Sequence, residues 1–187
     1  MKAIKLYHKD VQTSAFFSLK RGDVVDIIAP SSAVDKKHYI EAIKFVNELG
    51  LVVRAKSYDE CISSGHFYCA NEESVRADHL TEAFINRESS AIWCLAGGYG
   101  AYQLLERLDA IAPPKVKKMM IGFSDHTVLL NYVANKWHWP VLYGPPLKQM
   151  VDGSISARAK KHVVDLMFGK QTEVELENVK ALNQTAK

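Results

Sequence analysis

The sequence predicts an α/β domain, a parallel sheet with helices on both faces. Three observations lead there. Strand-like and helix-like segments alternate along the chain, and the links between them are short. The strand-like segments are β-branched and nearly continuous in apolar character, as "DVVDIIA" at 23–29 illustrates. Runs of that kind belong to strands covered on both faces.

Each element can be justified in order. The strand at 23–29 passes through "PSS" into a helix over 36–49, where Ile40, Ile43 and Val46 recur on one side and Gly50 provides the stop. "LVVRA", from Leu51, reads as the second strand. Asn71 is placed to cap a helix running to Asn86, with Val75, Leu80, Ala83 and Phe84 on its apolar side. A third strand at 91–95 leads to a helix at 101–108, and a fourth at 118–122 leads to a helix at 126–136. "PVLYG", from Pro140, is a short fifth strand, and a last helix over 156–168 ends at Gly169. Together these describe a flavodoxin-like sheet, without internal repeats or low-complexity segments.

Composition narrows the function. A chain of 187 residues is long enough to bury a real core. Its net charge of +3 is mild, and Lys and Arg are scattered, which argues against a nucleic-acid partner. Cys61, Cys69 and Cys94 form an odd set without metal-ligand spacing, as expected for free thiols in a reducing compartment. The opening "MKAIKLYHKDVQTSAFF" is interrupted by charges before a signal-peptide core could form. No apolar run approaches a membrane span, so the expectation is a cytoplasmic protein, or a domain of one, with no membrane partner. Asp23, Asp26 and Asp125 make no metal set with histidines, so no metal or other cofactor is implied.

Ligands of parallel sheets sit at the carboxyl ends of the strands. "PSS", "GGYG" and "GFSD" each follow a strand and should therefore gather at one edge. Ser124 stands where a strand turns into a helix, the geometry of a nucleophile elbow whose neighbouring N–H groups can hold an oxyanion. The residues are Gly122, Phe123, Ser124, Asp125 and His126 rather than G-x-S-x-G, so a helix-capping serine is the alternative, and Asp125 is suited to capping the same helix. Gly97, Gly98 and Gly100 permit positive φ and close backbone approach. The dinucleotide fingerprint fails because Gln103 occupies its last glycine position, and no Walker lysine follows, leaving phosphate binding a weaker reading.

"RGDVVDIIAPSS", "AIWCLAGGYGAYQLLERLD", "IGFSDHTVLL" and "YGPP", in that order, resemble the N-terminal domain of the LD-carboxypeptidase family of serine peptidases. That family includes muramoyl-tetrapeptide carboxypeptidases and microcin C immunity peptidases. The similarity runs from about Leu19 to about Pro146, and "SVRADHLTEAFINRES" resembles one of the family's helices. The resemblance implies that Ser124 is the nucleophile. It implies an oxyanion hole from the backbone N–H of Asp125 and of Gly98 or Gly97, and substrate contacts from Ser31, Ser32, Tyr99 and Tyr143. The implied substrate is the murein tetrapeptide, which loses its terminal D-alanine across an L,D peptide bond during cell-wall recycling.

The sequence departs from the family in three places. The family's arginine before the double glycine is Ala96, and the histidine of its H-G-P segment is Tyr143. The family's glutamate and histidine, carried by a C-terminal domain, have no counterpart in these 187 residues. The expected organisation is a lead segment at 1–19, a nucleophile-bearing domain at 20–150, and a terminal helix and linker at 151–187. No local histidine substitutes well. His126 is two residues from Ser124, His138 reads as a packing residue between Trp137 and Trp139, and His38, His79 and His162 read as solvated. His66, in a loop, could approach the site. Cys94 is a rival nucleophile on a strand. The expectation is little or no hydrolysis by this chain, the alternative being a non-catalytic peptide- or protein-binding domain. An exposed face where a second domain would dock also suggests self-association as a homo-oligomer.

Overall fold

The computed structural model describes residues 17–63, 65 and 68–172. In chain order the elements are β1 (Val24–Ile28), α1 (Lys36–Glu48), β2 (Val52–Arg54), α2 (Tyr58–Cys61), α3 (Glu73–Ile85) and β3 (Ser89–Cys94). A 3-10 turn (Ala101–Leu104) leads into α4 (Leu105–Asp109) and then β4 (Met119–Gly122). A second 3-10 turn (Ser124–His126) leads into α5 (Thr127–Trp137), followed by β5 (Val141–Tyr143), α6 (Leu147–Val151) and α7 (Ala157–Met167).

The five strands are all parallel, in the order β2-β1-β3-β4-β5. This is the doubly wound arrangement expected from the sequence. The winding reverses between β1 and β3, so the loops leaving their carboxyl ends diverge and open a crevice there. "PSS" and "AGGYG" are those two loops, and the turn after β4 lies next to them. That placement answers why the chain puts small residues at these ends.

Alternation along the strands feeds two cores. Val25, Ile27, Ala91, Trp93 and Ile121 pack on one face with Ala42 and Val46 of α1 and Met167 of α7. Ile28, Ile92, Cys94 and Met120 pack on the other with Leu80 and Phe84 of α3 and Leu129 and Val133 of α5. Both faces of the central strands are covered, hence their unbroken apolar runs. Leu19 is buried and its N–H donates to Met167 O at 2.8 Å, so the start of the described chain is tied to α7. A boundary at residue 150 falls within α6, and α7 shares the first core.

Several expectations need correction. The buried side of α1 is Tyr39, Ala42 and Val46, with Ile43 packed against the same core, so Val46 and Ile43 fall where predicted while Ile40 is 55% exposed and Tyr39 takes its place. Asn71 does not cap α3. The helix begins at Glu73, and Asn71 Oδ1 accepts instead from Glu72 N at 2.9 Å. His138 ends α5 in the left-handed region at φ 53° and is exposed, so it does not pack between its tryptophan neighbours.

The second core also contains charge. Asp26 is buried and receives Arg54 Nη1 at 3.0 Å and Asn86 Nδ2 at 3.2 Å, with Lys118 Nζ 3.8 Å away. Lys118 is fully buried and donates to Ala83 O. Burial pushes its ammonium down to about 8, and the Asp26 carboxylate opposes that shift.

Candidate active site

Ser124 sits at φ 60°, one of two described non-glycine residues with positive φ. For a residue with a Cβ this conformation costs on the order of 1–3 kcal/mol, and it persists only where the surroundings enforce it. The enforcing contacts are local. Phe123 enters the turn fully extended, His126 N donates to Phe123 O at 3.3 Å, and Thr127 Oγ1 donates to Ser124 O at 2.5 Å. Gly97 closes in from the neighbouring loop, where an added Cβ would lie 3.4 Å from Ser124 Cβ. The side chain of Ser124 is exposed and makes no capping bond, so the capping alternative is not realised. A strained, exposed serine between a strand and a helix is what a nucleophile elbow requires.

Asp125 does not cap its helix either. Its Oδ2 accepts from Ser31 Oγ at 2.7 Å and from Ala101 N at 2.8 Å, joining all three crevice loops through one carboxylate. Ser31 is therefore fully buried and committed to Asp125, a support rather than the expected substrate contact. Ser32 faces the crevice. Its Oγ donates to Tyr68 O at 2.8 Å and accepts from Tyr99 N at 3.3 Å, while its N–H donates to Gly97 O at 3.2 Å. The fit around Gly98 is close: at φ 117°, an added Cβ would stand 1.9 Å from Ser32 Oγ.

Arg76 of α3 fixes the same loops from beneath. Its buried guanidinium donates to Asn71 O at 3.0 Å, Pro30 O at 2.7 Å, Gly100 O at 2.9 Å and Gln103 Oε1 at 2.5 Å. The loops enclose a cavity of about 350 Å³ whose lining includes Ser32, Ala96, Gly97, Gly98, Ser124 and Lys148. Tyr99 and Tyr143 stand outside that lining, 59% and 64% exposed, with the Tyr143 ring edge-on to Phe123 at 6.2 Å.

The Peptidase S66 LD-carboxypeptidase N-terminal domain matches residues 25–144. The chain belongs to the LD-carboxypeptidase family. A Rickettsia conorii chain provisionally named a carboxypeptidase is 27% identical over 175 residues, covering 93% of this chain and 54% of its own. The murein tetrapeptide carboxypeptidase of Pseudomonas aeruginosa is 31% identical over 126 residues, covering 65% of this chain and 38% of its own. Among solved structures, the microcin C7 self-immunity protein MccF bound to glutamyl sulfamoyl guanosine shares the fold with a TM-score of 0.68 at 21% identity, over 84% of this chain and 48% of its own. The chain spans about half the length of the curated relatives it matches.

Within this LD-carboxypeptidase domain the described histidines are not placed to serve Ser124. Ser124 Oγ has no hydrogen-bond partner among the described residues. His126 is buried against Gly122, where an added Cβ would meet its Nδ1 at 2.8 Å, and neither ring nitrogen reaches a partner among the described residues at hydrogen-bonding geometry. His38, held by Asp35 Oδ2 at 2.7 Å, His79 and His162 are half-buried rather than solvated, and His66 lies outside the described residues. Cys94 is fully buried in β3 and burial pushes its thiol up, which removes it as a rival nucleophile. The three cysteines are free. Among the described residues no three His, Cys, Asp or Glu side chains gather as a metal site, and no helix is long and apolar enough to cross a membrane.

His126 carries a pH prediction. Burial pushes it from 6.5 down to about 4, with the Asp125 carboxylate acting in the opposite direction. The unfolded chain takes up this proton near 6.5 and the folded chain only near 4, so stability is lost as the pH falls through that window. Urea unfolding at pH 5 is expected to show about 2 kcal/mol less stability than at pH 7.5. A His126→Met variant should lack that component, and an unchanged pH slope in the variant would contradict the assignment.

Two features escaped sequence reasoning. Arg76 lies in phase with Leu80 and Ala83 on the apolar side of α3, and a charge on that stripe was the available signal. Lys148 follows a Pro-Pro turn in a helix of only five residues, where periodicity carries no signal.

Proposed function

We propose that this chain is the nucleophile-bearing part of a serine carboxypeptidase that cleaves an L,D peptide bond, with the terminal D-alanine of murein tetrapeptide as the leaving amino acid. The observation that carries the reading is the strained, exposed Ser124 set against the glycine loop at the crevice. Ser124 Oγ attacks the scissile carbonyl and its proton passes to a base. The N–H of Asp125 and that of Gly98 or Gly97 hold the oxyanion. The amine departs with a proton, and water then cleaves the acyl-serine. The base lies outside the described residues, in keeping with the glutamate and histidine that the family carries in its second domain. Free thiols at Cys61, Cys69 and Cys94 support a reducing compartment such as the cytoplasm.

A second reading, a peptide-binding domain without turnover, is favoured by the lack of a hydrogen-bond partner for Ser124 Oγ among the described residues. Both readings place the peptide in the same cavity. The 187-residue chain, titrated with murein tetrapeptide, should show saturable shifts of the Gly97, Gly98 and Asp125 backbone amides in NMR spectra. Shifts confined to other loops would remove the site from both readings. D-alanine release in the same samples separates them from a complete enzyme.

A further inference from the structure

Resting on the proposed peptidase reading, we infer that Lys148 is the specificity-determining residue that receives the free terminal carboxylate of the peptide. A carboxypeptidase must tell a chain end from an internal peptide bond, and the difference is one negative charge near the scissile bond. A carboxylate drawn from water into a cavity needs a cation or several donors to offset the lost hydration. Among the described residues lining the 350 Å³ cavity, Lys148 is the only cation.

Its position follows from the backbone. Lys148 N donates to Leu95 O at 2.9 Å, which docks the first turn of α6 on the carboxyl end of β3. The next residue of that strand exit is Ala96, which brings no charge, and Gly97 and Gly98 follow it along the cavity wall. Lys148 thus enters beside the glycine loop, in the same cavity as Ser124. No carboxylate comes within 4 Å of its ammonium among the described residues, so its charge is not consumed by an ion pair. The nearby acids have other partners. Asp152, also in the lining, is held low first by its hydrogen bonds with Ser154 and only in smaller part by Lys148. Asp35 is held low by its bonds from His38 before any influence of Lys148. An ammonium near these acids, yet tightly bound by none, can reorient towards an incoming carboxylate.

The test compares murein tetrapeptide with the same peptide carrying a terminal carboxamide, by calorimetric titration of the 187-residue chain. The wild type should bind the acid at least tenfold more tightly than the amide. Lys148→Met should bind the acid no better than the amide while its amide affinity stays at the wild-type value, which also reports that the cavity is intact. Lys148→Arg should retain the preference. A Lys148→Met variant that still prefers the acid tenfold overturns the inference. A wild type that binds both forms equally also overturns it, with the peptidase reading left standing. A wild type that binds neither form ends both.

Discussion

Replacing Arg76 with leucine is expected to lower the unfolding free energy by about 3–5 kcal/mol. The side chain is 3% exposed and satisfies three backbone carbonyls, those of Pro30, Asn71 and Gly100, as well as Gln103 Oε1. Leucine fills part of the volume but strands those acceptors, and each buried unsatisfied group costs about 1–3 kcal/mol before relaxation. Lysine is no remedy, because one ammonium cannot reproduce the planar fork that reaches all four. Pro30 precedes the serine loop and Gly100 closes the glycine loop, so tetrapeptide binding should weaken as well. Urea unfolding followed by tryptophan fluorescence measures the first effect, and a loss below about 1 kcal/mol would show that the loops do not depend on this residue.

Gly98→Ala is the counterpart at the site itself. Two penalties apply there: a Cβ at φ 117°, and a contact of 1.9 Å with Ser32 Oγ. Ser32 can yield only by giving up its bonds with Tyr68 O and Tyr99 N, which opens the crevice wall. The expected result is a stability loss of about 2–3 kcal/mol and at least tenfold weaker tetrapeptide binding. Gly153→Ala separates the two penalties, since Gly153 has φ 81° with nothing within 4 Å of an added Cβ. It should lose about 1 kcal/mol and leave peptide binding unchanged. Equal losses of binding in both variants would mean that the Gly98–Ser32 contact does not shape the site.

The sheet was legible because its information is local. Strands such as β1 and β3 are buried on both faces, and each turn follows its strand directly, so apolar runs ending in "PSS", "AGGYG" and "GFSD" declare both the elements and the edge where they converge. Ser124 was legible for the same reason, as one residue at one turn. What the sequence concealed is non-local. Asp125 was suited to capping by its position, yet its partners Ser31 and Ala101 lie 94 and 24 residues away, and nothing in the local pattern reports them. The helices α2 and α6, of four and five residues, are too short for a helical period to show. In α1 only Ile40 was misplaced, because Tyr39 and Ile40 are both apolar and only packing decides which faces the sheet.

On the proposed reading the chain presents a nucleophile and oxyanion donors in a peptide-binding crevice, and none of its 187 residues supplies the base. The most direct measurement is D-alanine release from murein tetrapeptide by the 187-residue chain, with wild type and Ser124→Ala run side by side at peptide concentrations shown to saturate the crevice. The account predicts saturable binding by both proteins and little or no D-alanine from either, because loss of any one member of a serine peptidase triad costs several powers of ten in rate. Release by the wild type that disappears in Ser124→Ala would contradict it, and would place a working base within these 187 residues.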